Sequence, residues 1–380
     1  MNPRIQKLQE ALERLRLGCA ILFQNRDLYY FAGTMQDGVL AVPAAGEPHL
    51  LVRRNYQRAQ QEASVASVHR LNSLDELQAV VPPDTARAGI ETDVLPAASY
   101  QRLQKLFPAA EWVDISGAIM EIRMVKEPAE IELMSRSATI NDAAHRRAAE
   151  VLREGLTEVE LFSEMEFVAR RLGDDRLASS RGFNALPPCQ IGSGEAATVA
   201  SRATIALGGV GMSPAAPCGP SSRTIQQGEA VVVDWVSSYH GYIADQTRTY
   251  FVGRPDDQLL RAYETCREIY QAVVAVMAPG VPGKHLYELA VKMAAEAGYE
   301  HFMGLGEYRV RFLGHGVGLE LTEQPVLSYR EERPLPEDCV LTVEPKIVLP
   351  GKGAVGIENT LWLSGDGPRP LTGAPDMVIL

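Results

Sequence analysis

Acidic residues embedded in apolar, strand-like segments are the feature that most constrains the fold of this chain. Asp234 follows the run VVV, and Asp245 lies in YIADQTRTYFV between apolar and aromatic residues. Glu344 and Glu358 interrupt the equally apolar segments LTVEPKIV and AVGIENTLWL. Because burying an unpaired carboxylate costs several kcal/mol, each of them needs a cation or a metal ion as a partner. The alternatives are a solvated turn for Asp234 and an arginine or lysine partner for either glutamate.

His315 adds a nitrogen donor to these four carboxylates. It lies in FLGHGVGLE, between glycines that would let the backbone approach a ligand closely. A lone histidine is more often structural, but five unrelated salt bridges explain the five residues less well than one shared site does. Oxygen-rich ligation with a single imidazole suits Mn²⁺, Co²⁺, Fe²⁺ or Zn²⁺. We expect two such ions, roughly 3.5 Å apart and bridged by carboxylates.

Residues 1–122 are predicted to form a small α/β domain. Apolar residues at positions 5, 8, 12 and 15 fall on one helix face, and strand-like segments follow at 19–23, 39–42, 49–52 and 88–90. Helical patterns near residues 74–81 and 98–107 alternate with them, as in α/β domains. No group of titratable residues here has metal or catalytic spacing, so a scaffold or partner-contact role is expected.

Residues 123–380 are predicted to form a larger α+β domain with a mainly antiparallel sheet. A helix is expected to begin at Pro128 and another after Thr157, which has capping-box spacing to Glu160. Residues 182–222 are rich in Gly, Pro, Ser and Ala, which is typical of a long loop. Strands are then expected from residue 230, with helices near 257–278 and 284–297. A hairpin turn near residues 237–241 would bring the two aspartates of the candidate site together.

Composition excludes several classes of function. The formal net charge of −11 disfavours a nucleic-acid partner, which usually requires a basic patch. The segment MNPRIQKLQEALERLR lacks the apolar core of a signal peptide, and no apolar run approaches the length of a membrane span. The five cysteines are scattered without a CxxC pair, so neither a disulfide framework nor a thiolate zinc site is indicated. We therefore expect a cytoplasmic protein without a membrane partner.

Four segments together, VVVDWVSSYHGYIADQTRTY, GHGVGLE, TVEP and GIEN, resemble in order and spacing the motifs of the pita-bread metallopeptidase family. The likeness is to its creatinase, prolidase and aminopeptidase P branch, and with the junction KEPAEIELM it covers nearly the whole chain. It implies a pita-bread domain over residues 123–380, preceded by a creatinase-like α/β domain. It also implies a dinuclear-metal hydrolase that uses a metal-bridging hydroxide. The implied substrates are short peptides, cleaved by an Xaa-Pro dipeptidase or aminopeptidase.

The resemblance also implies a role for each residue of the candidate site. Asp234 would bind one metal ion through both oxygens, and Asp245 and Glu358 would bridge the two ions. His315 and Glu344 would complete the second ion, and Glu344 would act catalytically by moving a proton to and from the bridging water. A homodimer is implied too, in which the partner's N-terminal domain limits the substrate to short peptides.

Three positions depart from the family pattern. The family histidine that precedes the first acidic ligand is absent, and either Pro217 or Ala200 stands in its place. Thr322 occupies the position of a second histidine, and Gly356 replaces an arginine that could support the carboxylates. These departures leave an alternative open, a non-peptidic C–N hydrolase or lyase acting on a small metabolite. A binding protein on a relic fold is a third reading, which the intact ligand set disfavours.

Further residues are expected to act around the metals. Arg248, in DQTRT, is predicted to be a cation that steadies the metal carboxylates. His240, in the hairpin turn, is a candidate catalytic replacement for a missing histidine, although a turn histidine is more often simply solvated. Tyr239, Tyr308 and Arg311 are candidates for substrate contacts.

Overall fold

A computed structural model describes residues 2–182, 184, 189–201, 206–299, 301–304 and 309–380 of the chain. Over these residues the chain divides into two compact units, Met1–Arg123 and Met124–Leu380. None of the described helices combines the length and the apolar character needed to cross a bilayer.

The first unit is built around one six-stranded mixed sheet with the order β4-β3-β2-β1-β5-β6. β2 pairs antiparallel with β1 and β3, and the remaining pairs are parallel. The strands are β1 (Cys19–Leu22), β2 (Gly38–Pro43), β3 (His49–Val52), β4 (Ser67–Arg70), β5 (Arg87–Ile90) and β6 (Glu111–Asp114). The helices are α1 (Pro3–Leu15), α2 (Asn25–Ala32), α3 (Tyr56–Glu62), α4 (Ala97–Leu106) and α5 (Ser116–Met124), with a 3₁₀ segment at Leu74–Ala79.

The sequence of this unit explains its main elements. β1, with the sequence CAIL, is a central strand, so both of its faces are buried and the segment is apolar throughout. On α1, Ile5, Leu8 and Leu12 are fully buried, whereas Leu15 in the last turn is exposed. The helical stretch predicted near 74–81 is a 3₁₀ segment and not an α-helix.

The second unit contains two larger antiparallel sheets and a two-stranded one. Their orders are β17-β9-β8-β7, β11-β10-β12-β15-β16 and β13-β14, and among the described strand pairs of this unit only β17–β9 is parallel. The strands are β7 (Gln190–Ser193), β8 (Ala230–Tyr239), β9 (Tyr242–Phe251), β10 (Phe312–Gly316), β11 (Glu323–Ser328), β12 (Cys339–Val343), β13 (Lys346–Leu349), β14 (Gly353–Gly356), β15 (Asn359–Ser364), β16 (Gly367–Pro370) and β17 (Met377–Ile379). The helices are α6 (Pro128–Val151), α7 (Glu158–Arg171), α8 (Asp257–Val276) and α9 (Gly283–Glu296). The predicted α+β class with a mainly antiparallel sheet is confirmed.

Local signals fix the helix starts of this unit. α6 begins at Pro128, and α7 follows a capping box in which Thr157 and Glu160 satisfy each other's backbone N–H groups. The region predicted as a loop over 182–222 contains a strand, β7, whose Gln190 pairs with Asp234 of β8. The sheet therefore extends one strand beyond the predicted hairpin.

The β8–β9 hairpin positions the two aspartates. Asp234 lies opposite Thr247, and Asp245 lies opposite Val236, with the turn after Tyr239. Because cross-strand partners share a face and side chains alternate along a strand, Asp234, Thr247 and Asp245 project from the same face. The predicted hairpin thus brings both carboxylates to one side of the sheet.

Candidate metal centre

The structure brings the five predicted ligand residues together between two sheets of the second unit. They are called the ligand cluster below, and they are Asp234 on β8, Asp245 on β9, His315 on β10, Glu344 after β12 and Glu358 before β15. His315 Nε2 lies 3.6 Å from Glu344 Oε1 and 3.9 Å from Asp245 Oδ2. The cluster residues are all buried except Asp234, which is partly exposed.

Hydroxyl groups tie the two sheets together at this point. Thr360 Oγ1 accepts a hydrogen bond from the Asp245 backbone N–H at 2.9 Å and donates to the Asp245 carbonyl at 2.8 Å. Thr247 Oγ1 donates to Glu358 Oε2 at 2.7 Å. Because these bonds fix the strands that carry the two carboxylates, the cluster is preorganised by the fold itself.

The glycines around His315 serve strand packing. A Cβ atom on Gly314 would lie 2.0 Å from the Thr342 carbonyl oxygen, and one on Gly316 would lie 2.2 Å from that of Gln324. Both glycines are therefore needed for the neighbouring strands to approach. Close packing of the strands is therefore sufficient to explain why His315 lies between two glycines.

The tautomer of His315 is set by its backbone. Nδ1 lies 3.1 Å from the Gly316 carbonyl oxygen, which can only accept, so Nδ1 carries the proton and donates it. Burial lowers the pKa of His315, which favours the neutral ring. The lone pair of Nε2 therefore faces the carboxylates of Glu344 and Asp245, an arrangement typical of an imidazole that binds a metal ion.

Lys346 is a member of this site that the sequence analysis missed. Its Nζ lies 2.5 Å from Glu344 Oε2, 3.1 Å from Asp234 Oδ2 and 3.2 Å from Glu358 Oε2. The side chain is only 2% exposed. A buried ammonium group is thus held by three of the four carboxylates that were expected to bind metal ions.

The electrostatics of the carboxylates follow from burial and from this lysine. Burial raises the pKa of Asp234 and Asp245, and raises that of Glu344 to about 8. Burial also acts to raise the pKa of Glu358, but Lys346 and the Thr247 hydroxyl hold it below its usual value. For Lys346 burial acts to lower the pKa, and the surrounding carboxylates raise it well above its usual value. Glu358 is therefore the group most firmly held in the charged form.

The donor set fits a divalent metal ion. One ligand atom each from Asp245, His315 and Glu358 lies within 4.8 Å of the others. Asp245 Oδ1 and Glu358 Oε1 are buried without a hydrogen-bond partner, which is costly for carboxylate oxygens unless a cation binds them. Asp245, His315 and Glu358 therefore define a place for one ion, on the His315 side of the cluster. Lys346 Nζ lies on the Asp234 side.

Arg248 supports the site in a different way from the one predicted. Its guanidinium group donates to the backbone carbonyls of Glu358 at 2.7 Å and Ala374 at 2.8 Å, and to Asn359 Oδ1 at 2.7 Å. Its described hydrogen bonds reach no side-chain carboxylate of the cluster. Arg248 thus positions the Glu358 backbone, and the cation that contacts the carboxylates is Lys346.

The structure does not bring the predicted catalytic His240 or the described substrate-contact candidates to the cluster. His240 is exposed at the hairpin turn against the Tyr239 ring, and six residues of extended strand separate it from Asp234, roughly 20 Å. Tyr239 is an odd number of positions from Asp234, so it projects from the opposite face of β8. Arg311 is exposed, with its guanidinium 6.0 Å from the ring centroid of Tyr329. The fourth candidate, at position 308, lies outside the described residues.

The positions of the missing family groups contain no imidazole. Pro217 is partly buried, and Ala200 and Thr322 are exposed. Gly356, in the place of the expected arginine, pairs directly with Lys346 across β13 and β14. The arginine expected on β14 is therefore absent, and a lysine stands directly opposite its position on β13.

A carboxylate-rich metal centre between two sheets, preceded by an α/β unit, defines a two-domain metalloenzyme. Residues 132–364 match the sequence profile of metallopeptidase family M24, and residues 4–125 match that of the creatinase/prolidase N-terminal domain. The chain therefore belongs to metallopeptidase family M24. The predicted family and fold are confirmed.

Similar proteins cover the chain almost end to end. An Xaa-Pro dipeptidase of Pyrococcus horikoshii is 28% identical over 375 residues, which are 98% of this chain and 97% of that one. The solved prolidase from Pyrococcus horikoshii has a TM-score of 0.84 at 26% identity, covering 98% of this chain and 99% of the other. An Xaa-Pro dipeptidase from Bacillus anthracis has a TM-score of 0.85 at 27% identity, with coverage of 100% and 99%. The similarity includes both units.

Proposed function

We propose that this chain is a metal-dependent Xaa-Pro dipeptidase. The observation that carries the proposal is the donor set of Asp245, His315 and Glu358, with two buried carboxylate oxygens that lack a partner. Relatives of nearly equal length that are named Xaa-Pro dipeptidase support the substrate class. Mn²⁺, Co²⁺, Fe²⁺ and Zn²⁺ all suit such ligands.

The residues of the cluster divide the catalytic work. A divalent ion bound here supplies Lewis acidity, which polarises a carbonyl group and acidifies water. His315 is held in the tautomer that leaves Nε2 free to bind the ion, and Glu358 stays charged beside it. Glu344, whose pKa burial raises to about 8, can accept a proton and return it near neutral pH. Glu344 is accordingly the proposed general base and acid.

The non-peptidic alternative is not favoured by the relatives, whose names are those of dipeptidases and peptidases. The missing histidines still bear on the rate, since losing one oxyanion-type donor costs about 10²–10³ in other enzymes. We therefore expect turnover below that of enzymes with a full set of such donors. A cytoplasmic location and a homodimer remain predictions.

Turnover of metal-reconstituted protein on defined peptides tests the proposal. Xaa-Pro dipeptides should be hydrolysed, while matched dipeptides with alanine in place of proline and longer X-Pro peptides should be poor substrates. A chelator should abolish the activity, and added Mn²⁺ or Co²⁺ should restore it. Asp245→Asn serves as the inactive control. Absence of Xaa-Pro hydrolysis with each of the four metals would overturn the proposal.

A further inference from the structure

Lys346 occupies the part of the cluster that a second metal ion would need. Its Nζ contacts one oxygen each of Asp234, Glu344 and Glu358, at 2.5–3.2 Å. An ion bound to the Asp234 and Glu358 oxygens at about 2.1 Å would lie in the space that these hydrogen bonds span. Two cations so close repel each other strongly inside a protein. The lysine and a second ion therefore compete for the same oxygens.

The stem of the lysine is fixed where it is. The side chain is 2% exposed, and the residue pairs across β13 and β14 with Gly356. A Cβ atom on Gly356 would lie 2.6 Å from Lys346 Cγ, so the glycine is what makes room for the stem. A buried stem between paired strands has few other rotamers, so Nζ cannot easily leave the carboxylates to admit an ion.

Lys346 leaves other ligand atoms of the cluster unused. One ligand atom each of Asp245, His315 and Glu358 lies within 4.8 Å of the others, and Glu344 Oε1 lies 3.6 Å from His315 Nε2. Asp234 is not in this group of three, and its Oδ2 contacts the lysine. With all four carboxylates ionised, one divalent ion and one ammonium group offset three of the four negative charges. In that state a single excess negative charge on the buried cluster is left for its hydrogen bonds to stabilise.

We propose that this centre binds one divalent metal ion, through Asp245, His315, Glu344 and Glu358, and that the ammonium group of Lys346 takes the place of a second ion beside Asp234. The inference rests on the proposed metal-dependent function but concerns only the number of ions. Asp234, which the resemblance implies is a metal ligand, is then an ion-pair partner of Lys346.

Metal stoichiometry tests this inference independently of catalysis. Purified full-length protein is loaded with Mn²⁺, desalted and analysed by elemental mass spectrometry and by titration calorimetry. We expect one tightly bound ion per chain and the electron paramagnetic resonance spectrum of an isolated Mn²⁺. Lys346→Met, which keeps the length of the stem and removes the charge, should bind two ions and give the spectrum of an exchange-coupled pair.

Controls separate folding from stoichiometry. Lys352→Met is the matched variant, since that lysine lies between β13 and β14, is only partly exposed and pairs with Asp256 outside the cluster; it should bind one ion. Lys346→Gln provides a second neutral side chain if the methionine variant does not fold. Two tightly bound ions in the wild-type protein would overturn the inference, and so would a count of one in every folded neutral variant at 346. A chain that binds one ion yet fails to hydrolyse Xaa-Pro dipeptides would instead overturn the proposed function alone.

Discussion

Lys346 lies directly opposite Gly356 in the β13–β14 pair, and a Cβ atom at position 356 would lie 2.6 Å from Lys346 Cγ. The buried Lys346 side chain therefore requires a residue without a side chain at position 356. This explains how the chain departs from the family pattern at 356 and still keeps a positive charge at the carboxylates. The cation comes from β13 instead of β14.

Gly356→Ala should destabilise the protein by roughly 1–3 kcal/mol, because the added methyl group overpacks against the lysine stem. Chemical denaturation measures the loss. In the double variant Lys346→Gly/Gly356→Ala the clash is gone, so the effect of the alanine should nearly vanish. Gly117→Ala is the control, since nothing lies within 4 Å of its added Cβ. Additive effects of the two substitutions would contradict the coupling.

The ligand variants should fall into two groups. Asp245→Asn and His315→Ala remove donors on the His315 side of the cluster and should weaken Mn²⁺ binding by more than roughly 100-fold, beyond the usual effect of outer partners. Asp234→Asn removes a partner of Lys346 and should weaken it by less than about tenfold. Titration calorimetry of the metal-free proteins gives the affinities. Equal losses in all three variants would show that Asp234 is itself a ligand.

The ligand cluster was predictable because each acidic residue stands out against its own apolar strand. Lys346 was missed although the same signal was present: it lies in VEPKIV, and a lysine between apolar residues requires a buried anion as much as an acid requires a cation. Its partners Glu344, Glu358 and Asp234 are 2, 12 and 112 residues away, so they follow no regular sequence spacing that would predict the contacts. Lys346 therefore could not be assigned to the site from local spacing alone.

Short elements of the first unit were the other omission. α2, with the sequence NRDLYYFA, carries aromatic residues that favour strands, and its helix is fixed by the Gln24 cap and by the positive φ of Gly33 at its end. Its Asp27 forms a buried ion pair with Arg123 at 2.8 Å. Contacts between residues so distant in sequence decide such elements, whereas α6 and α7 carry their own start signals.

Arg248→Met should destabilise the second unit by at least about 3 kcal/mol, because it removes the donor to the buried Glu358 and Ala374 carbonyl groups and one of the two donors to the Asn359 amide oxygen. Metal affinity should also fall, by about 10-fold, since the guanidinium holds the Glu358 backbone in place. Urea denaturation and calorimetry measure the two effects. The exposed Arg254→Met is the control, with a change within about 0.5 kcal/mol. Unchanged metal affinity in a folded Arg248 variant would remove its positioning role.

The buried His145 should make the stability of the protein depend on pH. Its Nε2 lies 3.1 Å from the Gln246 carbonyl and its Nδ1 lies 2.9 Å from Tyr250 Oη, and burial, together with the nearby Arg248, lowers the pKa of His145 to about 3. The unfolded chain binds a proton below the ordinary value of 6.5, whereas the folded chain stays neutral down to about 3. The free energy of unfolding is therefore unaffected by the titration of His145 above pH 6.5, and it decreases as the pH falls from 6.5 towards about 3.

The loss from this one group approaches about 1.4 kcal/mol per pH unit. Urea denaturation of the wild-type protein and of His145→Gln, between about pH 7 and about pH 4.5, isolates it, because the cluster carboxylates titrate alike in both proteins and cancel in the difference. Glutamine keeps a donor and an acceptor but cannot bind the proton, so any stability advantage of the wild-type protein should shrink steadily below about pH 6. A difference that stays constant over this range would mean that His145 binds its proton with the same pKa in the folded and the unfolded protein.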